Sequence, residues 1–240
     1  MGLLARLGVP RLWHEDHELL WSYMRYVVEP VTLWLAPAAA YGVERIPREG
    51  GAVIAANHFS GIDHPLIGSF CPRPVRYLAK AELLEIPVVG DILSWTEIIP
   101  VRRGEGDRDA LRLAREYVRA GGVVGIHVEG TRQRLGYPGP VHTGGLMIAM
   151  QEGARVVPCG LDTFRWSPTN RRLCALVFGE PLDLTHLPRN RAGYAEAAAV
   201  VGEELVRLWR LAAEASAAGL PDELPDGSRR SGPVPLRLSH

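Results

Sequence analysis

The chain has 240 residues, 47% of them hydrophobic and 22% charged, which is ordinary for one globular domain with a full core. Lys and Arg number 27, as do Asp and Glu, and this zero net charge excludes a global argument for a nucleic-acid partner. The sequence contains no run of about 18 uncharged apolar residues, so we expect no ordinary transmembrane helix.

Neither the start of the chain nor its cysteines indicate a secreted protein. The first residues carry Arg6 and lack the pattern of a signal peptide. The three cysteines, Cys71, Cys159 and Cys174, are odd in number and have no metal-ligand spacing. We therefore predict reduced, buried thiols in a cytosolic compartment.

Residues 1–41 are predicted to form amphipathic helices at a membrane interface. Aromatic side chains such as Trp21 and Trp34 alternate with charged ones, and Pro30 and Pro37 divide the segment into short helices. A ring with one apolar and one polar end suits the boundary between lipid and water. The alternative is that these helices pack on the chain's own domain.

Residues 42–218 are predicted to form the catalytic domain. Strands are expected at 52–56, 75–78, 98–101, 123–128, 156–161 and 173–178, and helices from near 63 and at 107–120, 143–151 and 191–219. This alternation predicts the α/β class, with a single domain whose mixed central sheet is flanked by helices. Residues 219–240 are rich in Pro, Gly, Ser and Arg without apolar periodicity, and are predicted to be a disordered tail.

The first group of candidate site residues follows the strand at 52–56. His58 and Asp63 are five residues apart, which would separate them by about 140° on one helix. We therefore expect His58 in the turn and Asp63 in the first turn of the next helix. In that arrangement the carboxylate can orient the imidazole, whose other nitrogen can accept a proton from a hydroxyl.

Other functions for these residues stay open from the sequence alone. Asp63 can instead cap a helix while His58 satisfies a buried carbonyl group. Ser60 can be a nucleophile, although its position two residues from the base is unfavourable. His58, Asp63 and His64 can form a partial set of metal ligands, but no further cluster has ligand spacing.

The second group follows the strand at 123–128 and consists of Glu129, Gly130, Thr131 and Arg132. Arginine binds a phosphate through two parallel hydrogen bonds, and glycine lets backbone N–H groups approach an anion. The group therefore predicts a clamp for a phosphate or carboxylate, with Glu129 available to aim an arginine. The alternative is an exposed ion pair of low energetic value.

The motifs in order resemble those of the glycerolipid acyltransferase family, typified by 1-acylglycerol-3-phosphate acyltransferases. Asn57, His58, Ser60 and Asp63 match the family's Asn-His-x-Ser-x-x-Asp motif at the same spacing. Residues 129–132 match the Glu-Gly-Thr-Arg core of a later motif. Further similarity at 99–104 and 156–158 extends the resemblance over about 41–182.

This resemblance includes departures from the family pattern. His127 and Val128 replace the usual Phe-Pro before Glu129, and Arg102 stands where an acidic residue is common. Arg103 is the better match for the family's substrate-binding arginine. These changes alter the predicted phosphate-facing rim, so they bear on the acceptor head group more than on the reaction.

The resemblance implies transfer of an acyl group from an acyl thioester, carried by coenzyme A or acyl carrier protein, to a lysophospholipid such as 1-acylglycerol 3-phosphate. It implies that His58, held by Asp63, is the general base. It also implies that Asn57, Ser60, Arg103 and residues 129–132 bind substrate. No cofactor and no metal are expected, and the protein is expected at the cytoplasmic face of the cell membrane, peripheral or monotopic.

Two other functions use the same residues. In a thioester or lipid hydrolase, water would replace the lipid hydroxyl, although the sequence has no Gly-x-Ser-x-Gly motif. In a lipid-binding protein of the membrane surface, the same groove would hold a ligand without turnover.

Overall fold

A computed structural model describes residues 26, 28–86, 98–101 and 108–232. Its described strands form one sheet in the order β4-β3-β5-β2-β6-β7-β1-β8. The strands are β1 Ala38–Tyr41, β2 Ala52–Ala56, β3 Val75–Lys80, β4 Ile99–Val101, β5 Val123–His127, β6 Arg155–Asp162, β7 Cys174–Phe178 and β8 Arg230–Ser231. The helices are α1 Glu29–Leu35, α2 Asp63–Phe70, α3 Arg108–Arg119, α4 Thr143–Glu152 and α5 Arg191–Ala217, with 3₁₀ turns at Val43–Arg45 and Ala81–Glu85.

The sheet is mixed, as the sequence predicts. Strands β4, β3, β5, β2 and β6 run parallel to one another. Strand β7 is antiparallel to β6 and parallel to β1, and β8 is antiparallel to β1. The central strand β2 is buried along its whole length. Its uninterrupted apolar sequence is typical of a parallel strand that is covered on both faces.

Helices cover both faces of this sheet, and the alternation of side chains along β2 separates the two layers. Ile54 packs in one cluster with Leu66 and Phe70 of α2. Val53 and Ala55 pack in another, with buried residues of α3, α4 and α5. Successive side chains of a strand point to opposite faces, so a single strand supplies both cores. The predicted α/β class is confirmed.

The long helix α5 lies close against β6 because Gly160 has no side chain. A β-carbon at Gly160 would lie 2.3 Å from the backbone nitrogen of Trp209, which is too close for two atoms that are not bonded. The contact lets Leu208 of α5 reach the buried cluster that it forms with β1 and β7. Helix α5 therefore fastens the antiparallel side of the sheet to the parallel side.

Two predicted boundaries need correction. The end of the predicted N-terminal helical segment is β1, which pairs with β7 inside the sheet; residues 1–25 and 27 lie outside the described part. The described part of the predicted disordered tail, 219–232, is ordered: Leu220 and Leu224 are buried, the Tyr41 hydroxyl donates to the Pro221 carbonyl at 2.7 Å, and β8 pairs with β1. Long-range contacts, rather than local periodicity, hold this segment.

Among the helices that the structure describes, none has both the length and the apolar character needed to cross a bilayer. The three cysteines are buried and carry free thiols. Because β2, β3, β5 and β6 run parallel, the loops that follow them meet at one edge of the sheet, where α/β folds place their ligands. The two groups of candidate residues follow β2 and β5 and so lie at this edge.

Candidate active site

His58 and Asp63 are in direct contact at the carboxyl end of β2. His58 lies in the turn and Asp63 in the first turn of α2, and Nδ1 of His58 is 2.8 Å from Oδ2 of Asp63. An ionised carboxylate can only accept a hydrogen bond, so the neutral imidazole carries its proton on Nδ1. The other ring nitrogen, Nε2, is then left unprotonated on a side chain that lines a groove.

Asp63 is completely buried, and its two oxygens accept five hydrogen bonds from residues that the structure describes. Oδ2 accepts from His58 Nδ1 and from the backbone N–H groups of Phe59 and Ser60, at 2.8 and 3.0 Å. Oδ1 accepts from the hydroxyls of Ser60 and Thr163. Burial by itself raises the pKa of Asp63, but the hydrogen bond from His58 and the other donors outweigh it and hold that pKa well below its usual range. Asp63 is therefore ionised.

Glu129 holds the backbone of His58 in place. The His58 N–H donates to Oε2 of Glu129 and the Gly139 N–H donates to Oε1, both at 2.6 Å. The N–H of Gln133 donates to the His58 carbonyl at 2.7 Å, so the loop after β5 binds His58 on both sides. Burial raises the pKa of Glu129 to about 7, against the opposing effect of the two N–H donors.

The contacts of Glu129 differ from those that its predicted role, aiming an arginine, would require. The residue is only 3% exposed, and within the described part of the chain its hydrogen bonds go to backbone N–H groups and not to an arginine. Glu129 is therefore a positioning residue in this structure. Its predicted role in shaping the anion site stays a prediction, and the loop that it anchors is the one that carries Arg132.

Asn57 and Ser60 are also predicted to bind substrate, but the structure turns both side chains inward. Asn57 is completely buried, donates to the Leu161 carbonyl at 3.0 Å and accepts from the Leu161 N–H at 2.7 Å. The Ser60 hydroxyl donates to Asp63 at 2.8 Å, not to His58. Asn57 thus fastens the loop that carries His58 to β6, and Ser60 orients the carboxylate.

Arg132 brings the second group of residues next to the first. Its guanidinium lies so close to the loop after β2 that a β-carbon added at Gly61 would be 3.3 Å from Nη2. Gly130, with φ of 67°, makes the turn that leads into the exposed residues Thr131 and Arg132. All three line the same groove as His58. Arg103 lies outside the described residues, so the arrangement of a two-arginine clamp stays a prediction.

Two histidines to which the sequence gives no part in catalysis surround His58. The ring of His127 stacks on that of His58 with centroids 4.0 Å apart and planes 12° from parallel. His64 meets both rings edge to face. Burial lowers the pKa of His64 to about 4 and the pKa of His127 well below its usual range, so both are neutral near pH 7.

The same cluster is the candidate metal site among the described residues, because ligand atoms of His58, Asp63 and His127 lie within 4.8 Å of one another. The hydrogen bonds argue for a different use. His127 Nδ1 is 2.7 Å from the Asn57 carbonyl, and His58 Nδ1 is bound to Asp63. The lone pairs of stacked rings lie in nearly parallel planes, whereas a tetrahedral ion needs them to converge. A hydrogen-bonded base fits this geometry better than a metal centre.

The groove that contains His58 has a volume of about 1510 Å³. This exceeds the range of roughly 300–1,000 Å³ that holds most small ligands. Its apolar lining comes from β3, β4 and the segments that follow β2, β3, β5 and β6: Phe59, Tyr77, Leu78, Leu83, Val101, Val128, Phe164 and Trp166. Polar groups of the two candidate motifs, with further polar side chains such as Arg76 and Lys80, share this cleft with the apolar lining, an arrangement that accommodates an amphipathic molecule.

The fold and the site together define an α/β protein in which a hydrogen-bonded His–Asp pair lies at the carboxyl ends of the parallel strands, where enzymes of this class carry their catalytic residues. The family model described as Acyltransferase matches residues 38–162, more than half of the chain. The chain belongs to the glycerolipid acyltransferase family, and it is an acyltransferase.

Individual relatives agree with this assignment. A 1-acyl-sn-glycerol-3-phosphate acyltransferase of Bacillus subtilis is 29% identical over 159 residues, covering 62% of this chain and 76% of that protein. One of Borreliella burgdorferi is 32% identical over 142 residues, covering 55% of this chain and 54% of that protein. The chain thus spans about half of the length of the second relative.

A solved structure resembles this fold over most of the chain. The crystal structure of the 1-acyl-sn-glycerophosphate (LPA) acyltransferase PlsC from Thermotoga maritima has a TM-score of 0.67 and 26% sequence identity, with 85% of each chain covered.

Sequence reasoning missed Thr163, His127 and Gly139 as parts of the site. Thr163 follows β6 directly, and only knowledge that β6 is the neighbour of β2 would have placed its hydroxyl against Asp63. His127 carried a signal, since it departs from the family's usual residue two positions before Glu129. Gly139 contributes only its backbone, which no sequence motif marks.

Proposed function

We propose that the protein transfers a fatty acyl group from an acyl thioester to the free hydroxyl of a lysophospholipid, most simply 1-acylglycerol 3-phosphate. The observation that carries this proposal is the His58–Asp63 hydrogen bond of 2.8 Å, which leaves an unprotonated nitrogen on the groove side within the same cleft as Arg132. The family and the names of its relatives support the reaction class and the acceptor.

In the proposed mechanism His58 Nε2 takes the proton of the acceptor hydroxyl as the oxygen attacks the thioester carbonyl. Asp63 stabilises the imidazolium that forms, because its ionised carboxylate is already bound to Nδ1. Collapse of the tetrahedral intermediate breaks the carbon–sulfur bond, and the imidazolium returns the proton to the leaving thiolate. The products are an ester and a free thiol.

Arg132, together with Arg103, is proposed to bind the acceptor's phosphate. Arg132 is exposed, and it makes no ion pair with the part of the chain that the structure describes. A guanidinium can bind two phosphate oxygens at once and fix the distance from phosphate to hydroxyl. Gly130 and Thr131 shape the turn that carries it, and Glu129 and Gly139 hold that turn to His58.

The acyl chain is proposed to lie along the apolar part of the groove. Burying each methylene is worth about 0.8 kcal/mol, so a long chain contributes much of the binding free energy. The donor is an acyl thioester of coenzyme A or acyl carrier protein, and the reaction as written needs no cofactor. The protein would act at the cytoplasmic face of the membrane, with the N-terminal segment and α1, whose Trp34 is 63% exposed, at the lipid surface.

Thiol release from a long-chain acyl-coenzyme A, with and without lysophosphatidate, tests this proposal. We expect release that depends on the acceptor in the wild type, a diacyl product by mass spectrometry, and loss of both in His58→Ala. His186→Ala is the matched control, since His186 is exposed and lies outside the groove. Release without acceptor would identify a thioester hydrolase instead.

The remaining outcome separates an enzyme from a binding protein. If the wild type and His58→Ala bound the thioester equally, and neither released thiol with coenzyme A or acyl-carrier-protein donors, the protein would be a lipid-binding protein and the proposed reaction would be wrong.

A further inference from the structure

The loop between β5 and α4 presents apolar side chains to solvent. Leu135 is 73% exposed, the largest value among the exposed large hydrophobic residues in the described part of the chain, and Tyr137 is 53% exposed. Solvent exposure of two large apolar groups so close in the chain is unfavourable unless another surface covers them. We call residues 134–138 the tip of this loop.

The tip is held in a defined shape by contacts with the rest of the domain. Gly136 has φ of 80°, and a β-carbon there would lie 2.7 Å from the Phe164 ring, so the turn both needs glycine and packs on Phe164. On either side of the tip, the Gln133 N–H binds the His58 carbonyl and the Gly139 N–H binds Glu129. The apolar tip is therefore attached at both ends to the candidate active site.

Positive charge surrounds the tip. Arg132, Arg134 and Arg165 are exposed, and all three line the groove. Neither residues 130–142 nor residues 163–173 contain an Asp or a Glu. A surface of this kind is complementary to an anionic one. It is not complementary to a second copy of itself, because a two-fold interface would bring like charges together.

Helix α1 adjoins the same surface. Trp166 Nε1 donates to the Leu35 carbonyl at 3.1 Å, and the Arg171 guanidinium lies 4.5 Å from the centre of the Trp34 ring. Val31 and Trp34 of α1 are 53% and 63% exposed. The loop that follows β6 thus connects the tip, which packs on Phe164, with the exposed face of α1.

We propose that Leu135 and Tyr137 insert into an anionic phospholipid surface, as a membrane contact separate in sequence from the N-terminal segment. The tip and the exposed face of α1 would then lie on the bilayer together, with the mouth of the groove between them open to lipid. This inference rests on the proposed function, since a membrane-bound acceptor is what such an opening would admit. Apolar anchors with neighbouring arginines are the usual means of binding at the lipid interface.

The first test compares sedimentation of the full chain with vesicles of phosphatidylglycerol and phosphatidylcholine. We expect Leu135→Ser/Tyr137→Ser to reduce the partition coefficient between vesicles and water by about tenfold or more, because serine lacks most of the favourable transfer free energy of the larger side chains. The matched control is Leu113→Ser/Val200→Ser, which removes two hydrophobic residues of 43% and 40% exposure from α3 and α5. Vesicle binding by both double variants equal to that of the wild type would overturn the proposal.

The second test concerns the role of positive charge and the alternative that the tip contacts a second copy of the chain. Arg134→Gln should weaken binding to phosphatidylglycerol vesicles and have no effect on the weak binding to pure phosphatidylcholine. If instead the tip variant bound vesicles normally but changed its oligomeric state in size-exclusion chromatography, the tip would contact a second copy and the membrane contact would be wrong.

The third test keeps this inference separate from the proposed function. With a short-chain acceptor dispersed below its micellar concentration, the tip variant should turn over at the wild-type rate, and the loss should appear only with acceptor in vesicles. A wild type that binds vesicles through the tip but never releases thiol would leave the membrane contact standing and remove the acyltransferase mechanism.

Discussion

The most informative perturbation is Asp63→Asn, because the structure shows how an amide can replace the carboxylate without disturbing the fold. Oδ2 accepts from His58 Nδ1–H and from two backbone N–H groups, which can only donate in this arrangement. Among the described residues, Oδ1 accepts only from the hydroxyls of Ser60 and Thr163. A hydroxyl can rotate to accept instead of donate, so the amide nitrogen fits at the Oδ1 position. Asp63→Asn therefore keeps the Nδ1–H tautomer and removes only the charge.

The size of the effect follows from that charge. Two unit charges about 4 Å apart interact by about 4 kcal/mol at an effective dielectric constant near 20. Loss of this stabilisation from the imidazolium in the transition state lowers kcat by roughly a thousandfold. Asp63→Ala is a poorer test, since it leaves three buried N–H donors without an acceptor, each at a cost of about 1–3 kcal/mol. That variant is expected to unfold more readily, so a loss of activity could come from unfolding and not from a slower chemical step.

The assay is thiol release at saturating acyl thioester and acceptor, with thermal unfolding measured in parallel. Asp183→Asn is the control, since Asp183 is an exposed carboxylate that lies outside the groove. If Asp63→Asn stayed folded and kept kcat within about tenfold of the wild type, the charge of Asp63 would not be what stabilises the imidazolium in the transition state.

Three further predictions concern the residues around this pair. The pKa of Glu129 is raised from 4.5 to about 7 in the folded protein, so ionisation of this carboxyl group opposes folding. The free energy of unfolding is therefore expected to fall by on the order of 3 kcal/mol as the pH rises from 4.5 to about 7. Glu129→Gln should abolish that fall, and identical pH dependence of thermal unfolding in both proteins would contradict it. Arg132→Lys should raise KM for a phosphate acceptor by roughly tenfold or more without changing KM for the thioester, with Arg191→Lys as control. His127→Ala should lower kcat more than His127→Phe, which keeps a ring against His58; equal losses would show that the stack has no part.

The sequence predicts those strands and helices whose hydrophobic pattern is contained within the element itself. Strand β2 and helix α3 lie within a few residues of their predicted bounds, because β2 is a continuous apolar run and α3 buries one face at Ala110, Ala114 and Val118. Strand β1 was missed since its sequence, three alanines and a tyrosine, carries no strong preference for a strand. What makes it a strand is its pairing with β7.

The site was predictable as a set of residues and not as a set of contacts. Motif order assigns His58, Asp63 and Arg132 to one site, and in the structure His58 and Arg132 line one groove while Asp63 is bound to His58 from within. The side chains of Asn57 and Glu129 belong to the same motifs, yet they face inward. A motif records which residues occur together, and it does not distinguish those that touch a ligand from those that hold the loop.

Strand register supplies the missing information. In the parallel pair β2–β5, Ala56 lies opposite His127, so two residues further along the chains His58 lies opposite Glu129. The N–H of His58 consequently meets the Glu129 carboxylate at 2.6 Å. A shift of one residue in that pairing would turn every side chain of β2 to the other face and separate the two groups. Alternate side chains of β2 are packed in the two cores on opposite faces of the sheet, and this packing prevents such a shift. The sheet interior therefore fixes the position of His58, the proposed base.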